Sequence, residues 1–439
     1  MQNIINNAPI AKKLEKLFEK NIYSFHALPI ANRIKSDVIG DYTHLFPSLE
    51  CSITGEMFDN FFFSKGVIAE SQRLTADLYG ADYSFYVTSG TSVANQIAIF
   101  ALYEKGKKII IDKNCHQSIH FYTRSIGAEV VYLKPDIKDD NNDITAWSYE
   151  NLEKLLLSLQ KTENYIDLII LTAQSYEGMI YDIPSVIKNL ISAGIKTRKF
   201  LIDEAWGSLN YFNSSHKELT AMNVQELLDK YPDLEIVCTH SAHKSLFCLR
   251  QASIIHCKGR KNLAERIEIA RYSIHTTSPN YSILSSLDIA QSMIRTYGEE
   301  LALHTKNLAN KFINLIESSI FFKELKIYHS NLYSQWHIHQ DSSKVMLDVS
   351  QIGTGFEIKK RLEQEGIYIN RFIDNYLLLN FHIGINELLV EMLISALAEI
   401  IKEKKNIYLK EGEIADKLDK TVKDKLTSYI TSGYTVVYS

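Results

Sequence analysis

One lysine in this chain has neighbours that suit a working amine. Ile236-Val-Cys-Thr-His-Ser-Ala-His-Lys244-Ser-Leu-Phe runs on to Gln251-Ala-Ser-Ile-Ile-His256, spelling an apolar run, a polar turn and a second apolar run. A lysine held between two buried strands loses hydration, which disfavours its charged form and makes the amine a usable nucleophile. An exposed turn lysine has the same spelling, so the remainder of the chain must decide. Three other β-rich runs end in residues of chemical use. Ser84-Phe-Tyr-Val-Thr88 leads into Ser89-Gly90-Thr91-Ser92 and a helical pattern from Val93. A glycine and hydroxyls at a helix N-terminus offer N–H groups and a positive dipole end to an anion, or simply an N-cap from Ser89 or Thr91. Lys199-Phe-Leu-Ile-Asp203 is followed by Glu-Ala205-Trp206-Gly; a carboxylate there can hold a cationic ring nitrogen or cap a turn. Lys108-Ile-Ile-Ile-Asp112 leads to Lys-Asn-Cys-His116, an imidazole able to stack on a flat ring.

The elements that must position these residues alternate. Further apolar runs at Glu129–Leu133, Asp167–Thr172, Glu235–Thr239 and Ala252–His256 are separated by helical patterns such as Tyr149–Leu159 and Asn223–Lys230. Nearly continuous apolar strands alternating with helices predict an α/β fold with a mostly parallel sheet between helices. Ligands of such sheets bind beyond the carboxyl ends of the strands. A helix is expected over 8–20 and another over 66–79. Between them lies an irregular, aromatic-rich stretch that includes Phe61-Phe62-Phe63. A long helical stretch from Ser282 to about Ile316, interrupted near Tyr297-Gly298, leads to a smaller α+β region. That region has strand-like runs at 344–349, 367–369 and 376–383 and helices at 357–365 and 386–403. The organisation expected is an N-terminal helix and arm (1–65), a large domain (66–295) and a small C-terminal domain (296–439). A charged helix and a β-like end are expected from Lys410.

Bulk properties remove several classes of function. A formal net charge of −4 provides no electrostatic case for nucleic acid or an anionic membrane as partner. Five scattered cysteines without a CxxC pair argue against a disulfide framework or structural zinc and suit a reducing compartment. No signal-peptide pattern opens the chain and no apolar run reaches membrane-span length, so a cytoplasmic location is expected. His240 and His243 flank a turn and are read as non-metal.

An anion cradle, a ring for stacking, a carboxylate for a ring cation and an imine-forming lysine together match what pyridoxal phosphate requires of a protein. The chain resembles the fold-type-I pyridoxal-phosphate enzymes, and specifically the bacterial ornithine/lysine/arginine decarboxylase family. The resemblance rests on Gly66-Val-Ile-Ala-Glu-Ser-Gln, Val87-Thr-Ser-Gly-Thr-Ser-Val-Ala-Asn95, Asp112-Lys-Asn-Cys-His-Gln-Ser118, Thr172-Ala-Gln-Ser-Tyr-Glu-Gly178, Asp203-Glu-Ala-Trp206, Ser241-Ala-His-Lys244, Gln251-Ala-Ser-Ile-Ile-His256 and His275-Thr-Thr-Ser-Pro-Asn-Tyr281. It implies Lys244 as the Schiff-base lysine, Asp203 as partner of the pyridine nitrogen, and His116 and Ala205 on the two ring faces. By the same resemblance, Ser89, Gly90, Thr91, Ser241 and His243 hold the phosphate, and Trp206 fits the larger inducible decarboxylases. Thr276-Thr277 would reach a neighbouring subunit's cofactor, making a homodimer the minimum unit.

The resemblance implies decarboxylation of a basic amino acid: ornithine, lysine or arginine. The chain departs from the family in having no room before Gly66 for a receiver-like domain and no proline-rich signature after Glu403. It also has Asn370 where an acid is expected, Arg371 beside it, and His382 in place of a small residue. Arg371 is the substrate-contact candidate. Clamping the α-carboxylate would stabilise it in the ground state and disfavour its loss. Chemistry at the Cα proton of an arginine-like amino acid (transamination, elimination or cyclisation) is therefore the second expectation, and an inactive partner of an active homologue the third.

Overall fold

The computed structural model describes residues 4, 6–19, 57–141, 144–369 and 371–405. Most of the aromatic-rich arm, Cys51, Asn370 and the expected C-terminal helix and β-like end lie outside the described residues. Seven of the apolar runs pair into one sheet. In chain order they are β1 (Tyr83–Val87), β2 (Lys108–Asp112), β3 (Glu129–Leu133), β4 (Ile166–Thr172), β5 (Lys199–Asp203), β6 (Glu235–His240) and β7 (Ser253–Gly259), and in space β1-β7-β6-β5-β4-β2-β3. Strands β3, β2, β4, β5 and β6 are parallel. Strand β7 runs antiparallel to both β6 and β1. The lysine turn therefore joins two neighbouring antiparallel strands at one side of the sheet.

Both sheet faces are covered, which is why the central strands are apolar without alternation. Phe85 and Val87 of β1 share one core with α3 (Thr91–Leu102) and with Leu263, Ile267 and Ala270 of a helix over Lys261–Ile274. Tyr86, pointing the other way, joins a second core with Ile10, Leu14, Ile68 and Leu284. Two of these, Ile10 and Leu14, come from α1 (Pro9–Phe18), and Ile68 comes from α2 (Val67–Tyr79). The apolar side of α1 is thus buried within its own chain, and its Ala11 N–H donates to Asp288 Oδ2 at 2.9 Å. The three phenylalanines divide: Phe61 is buried while Phe63 is half exposed, and Phe61 and Phe62 flank the buried guanidinium of Arg271.

Two expectations fail for identifiable reasons. The helix Tyr281–Ser318 runs 38 residues without interruption at Gly298. A Cβ there would come within 2.6 Å of the Phe212 ring, so the glycine permits close packing rather than a break. No strand forms at Ile367–Ile369, and pairing starts at Arg371. The Ile367 N–H is spent on Leu362 O at 2.8 Å, closing the preceding helix past Gly366, and Ile369 is buried in the core.

The chain divides into two compact units. One runs to Ala302 and takes in Leu332–His339; the other comprises Leu303–Asn331 and the residues from Gln340. The second unit holds an antiparallel sheet in the order Lys326–Ile327, Lys344–Asp348, Tyr376–Asn380, Arg371–Ile373. Leu347 and Leu377 of that sheet pack with Leu362 and Leu397 of helices Gly355–Gln364 and Glu387–Lys405.

Candidate active site

Four chain segments that follow strand ends of the first unit meet at one cavity of about 230 Å³. Gly90, Thr91, His116, Asp203, Ala205, Ser241, His243 and Lys244 line it, as do Ser92 of the predicted anion stretch and three residues to which sequence reasoning gave no role: Asn95, Arg250 and Gln251. Four predicted residues, Ser89, Trp206, Thr277 and Arg371, are not among those that line it. Ser89 Oγ lies 3.3 Å from His275 Nε2 instead, Thr277 is exposed in the loop after Lys261–Ile274, and Trp206 stands behind the lysine. Arg371 opens a strand of the second unit, and His382 belongs to that unit too, where its Nδ1 accepts the Gly384 N–H at 3.1 Å.

Asp203 ends β5, is 2 % exposed, and is held by two donors. Its Oδ1 accepts the Ala205 N–H at 3.0 Å and its Oδ2 accepts Asn95 Nδ2 at 3.0 Å. Asn95 is itself fixed, because its Oδ1 accepts Thr239 Oγ1 at 2.7 Å. Asn95 lies one helical turn after Thr91, so both project from one face of α3 into the site. An amide buried in a mostly apolar helix must find partners, and that is the signal that could have found it.

Lys244 sits in a single helical turn, Ala242–Ser245, between β6 and β7. Its Nζ lies 4.5 Å from the centre of the Trp206 ring, an arrangement that favours the ammonium. Burial nevertheless pushes the lysine below its ordinary pKa, with the Asp203 charge opposing that shift. His116 is exposed at the mouth and caps the helix Gln117–Ser125, its Nδ1 accepting the Ser118 N–H at 3.2 Å.

The opposite end suits an anion. Gly90 is the N-cap of α3 at φ +82°, a conformation few L residues adopt, and no side chain caps the helix. Neither Ser89 nor Thr91 plays the capping role that sequence left open. Thr91 Oγ1 instead bonds Ser241 Oγ and, at 2.9 Å, Ser253 Oγ. His243 donates its Nδ1–H to Ala252 O at 2.9 Å and is pushed below the usual histidine range by burial, then by the Lys244 and Arg250 charges. Uncapped N–H groups and hydroxyls at one end, a carboxylate at the other and an amine between them fit a ring cation bearing a phosphate.

Behind this site lies a buried brace. Glu204 Oε2 accepts Tyr211 Oη at 2.9 Å, Cys238 Sγ at 3.2 Å and His240 Nε2 at 3.2 Å, while Oε1 accepts the Ala221 N–H at 2.8 Å. His240 Nδ1 in turn meets His256 Nε2 at 3.1 Å, and His256 Nδ1 meets Ser84 Oγ at 2.7 Å. Glu204, Cys238 and His240 are close enough for one ion, yet every one of them already has a hydrogen-bond partner. The brace ties the residue after Asp203 to the residue before Ser241, so it sets the spacing of the carboxylate and lysine turns.

The mixed sheet with these residues at its strand ends defines the fold-type-I pyridoxal-phosphate enzymes. The family description "Orn/Lys/Arg decarboxylase, major domain" matches residues 30–387, and the chain belongs to that family. It is 28% identical over 353 residues to an arginine decarboxylase of Bacillus subtilis (strain 168), covering 79% of this chain and 68% of that protein. The constitutive lysine decarboxylase of Escherichia coli superposes with a TM-score of 0.78 at 22% identity, covering 97% of this chain and 63% of that one. A Francisella novicida lysine decarboxylase superposes with a TM-score of 0.77 at 21% identity, covering 96% and 63%. The chain thus spans less than two thirds of the length of these structural relatives. No helix among the described residues is long and apolar enough to cross a membrane.

Proposed function

We propose that this protein is a pyridoxal-phosphate-dependent decarboxylase of a basic amino acid of the ornithine, lysine or arginine type. The observation that carries the reading is the meeting of Lys244, Asp203, His116 and the uncapped start of α3 at one cavity. The family membership and the named activities of the relatives support the reaction and the substrate class. When bound, pyridoxal phosphate supplies an aldehyde for an amine to condense with and a ring that takes up the electron pair left when a bond to Cα breaks.

The protein's part is to hold and orient. Asp203, steadied by Asn95, would keep the ring nitrogen protonated, and the start of α3 with Ser241 would take the phosphate. His116 and Ala205 bracket the ring. Lys244 Nζ is the covalent attachment point. That nitrogen, with its pKa lowered by burial, would also be placed to accept or return a proton at the substrate. The exposed Thr276-Thr277 loop is read as reaching a neighbouring subunit in a homodimer, and the free thiols of Cys115, Cys238, Cys248 and Cys257 suit the cytoplasm.

Two measurements test this. Purified protein mixed with pyridoxal phosphate should develop a visible absorption band that Lys244→Ala abolishes; no band, or one indifferent to that change, refutes the cofactor. Incubation with lysine, ornithine and arginine should release CO2 and the matching amine from at least one of them. Cα-deuterium washout without CO2 would refute decarboxylation in favour of Cα-proton chemistry.

A further inference from the structure

The cavity's anion end is short of positive charge. A phosphate monoester carries close to two negative charges near neutrality, whereas a helix N-terminus supplies only about half a positive one. Among the lining residues, Lys244 and Arg250 are the two basic side chains besides His243, and Lys244 is committed to the aldehyde. Thr91 and Ser241 contribute hydroxyl dipoles but no charge. His243 spends its Nδ1–H on Ala252 O, so in its neutral form it turns only a lone pair from Nε2 towards other groups.

We propose that Arg250 binds the cofactor's phosphate and supplies the charge that the helix N-terminus lacks. The inference rests on the cofactor reading above and extends it to a residue outside the family motifs. Arg250 lies in the turn just before β7, and that turn is tied down on both sides. The Ala252 N–H donates to Leu249 O at 3.1 Å, and the Gly90 N–H donates to Gln251 O at 3.0 Å. Gln251 accepts a left-handed φ of +76° to aim its carbonyl there, a conformation that a non-glycine residue holds only where surrounding contacts demand it. The tie puts the arginine beside the first residue of the anion cradle. Among the described residues its exposed guanidinium has no hydrogen bond or ion pair, as holds for Arg124 and Arg260, but of these three only Arg250 lines the cavity. A planar, permanently charged fork left open to a cavity suits a phosphate's paired oxygens.

The test is an equilibrium titration read by visible absorbance, comparing pyridoxal phosphate with pyridoxal, which lacks the phosphate. Arg250→Ala should weaken pyridoxal phosphate about tenfold to a hundredfold and leave pyridoxal within about twofold of wild type. Arg250→Lys should recover part of the loss, as a point charge without the fork. Unchanged affinity for pyridoxal phosphate in Arg250→Ala would overturn the proposal, and so would an equal loss for both ligands, which marks a structural role. A wild-type protein that takes up neither compound would refute the cofactor reading itself, an outcome separable from the first two.

Discussion

Replacing Asn95 by Asp tests whether the cavity's carboxylate end is built as described. The side chains are nearly isosteric, but the donor that lies 3.0 Å from Asp203 Oδ2 becomes a carboxyl oxygen. Two ionised carboxylates at that distance repel by about 5 kcal/mol at an effective dielectric constant near 20. Keeping one proton on a carboxyl of ordinary pKa costs about 4 kcal/mol at pH 7. Repulsion wins, so the variant pair shares a proton at neutral pH and titrates as a unit, with one proton held well above the usual carboxylate range. While that proton stays, the new carboxyl's O–H can donate to Asp203 as the amide did, and its carbonyl can still accept from Thr239. Folding therefore takes up a proton that the unfolded chain releases near pH 4, and the stability of Asn95→Asp declines as pH rises until the shared proton leaves. The slope approaches about 1.4 kcal/mol per pH unit and the full loss about 5 kcal/mol. Asn95→Ala, by contrast, strips both hydrogen bonds at every pH and should cost roughly 2–4 kcal/mol without that slope. Urea unfolding at pH 5, 6.5 and 8, with cofactor titrations alongside, distinguishes the two. Parallel pH profiles for Asn95→Asp and wild type would show that residue 95 does not act on Asp203.

Three further perturbations reach other parts of the same framework. Burial raises Asp112 and Asp288 each to about 6, so each withdraws about 3 kcal/mol of stability as pH climbs from 4 through 6; Asp112→Asn and Asp288→Asn should flatten the acid side of a melting-temperature profile, and an unchanged profile would refute their burial as carboxyls. Gly90→Ala meets no atom within 4 Å of the new Cβ, so its cost is backbone strain of about 1–3 kcal/mol, accompanied by weaker cofactor uptake; normal denaturant midpoint and uptake together would argue against that conformation. Glu204→Gln puts an amide where donors converge on a carboxylate and should cost about 2–4 kcal/mol in urea unfolding, whereas a neutral result would mean the brace carries no load.

What could be read ahead of the structure depended on whether a feature was local. Lys244, Asp203 and His116 follow apolar runs whose polar ends are visible in the chain itself, and the alternation of runs and helices implied a sheet with its ligands at those ends. The family motifs supplied the roles. Gly298 was misread because a glycine inside a helix has the same spelling whether it breaks the helix or admits Phe212, and that neighbour is 86 residues away in sequence. The brace depended on strand register: Ser84 pairs with His256 and His256 with Cys238 across β1, β7 and β6, and a slip of one residue would have turned each side chain to the other face.

Arg250 shows the same limit more sharply. Nothing near it in sequence distinguishes it from a surface arginine. Its place is decided by the tie between the Gly90 N–H and Gln251 O, which joins two segments 161 residues apart. The resemblance names His243 among the residues that hold the phosphate, but it cannot show that its Nδ1–H is spent on Ala252 O. Once that donor is accounted for, the charge balance of the cradle falls on the arginine. The pyridoxal comparison therefore asks more than whether Arg250 matters. It asks whether a phosphate site inherited from a family motif has taken its charge from a residue that the motif does not contain.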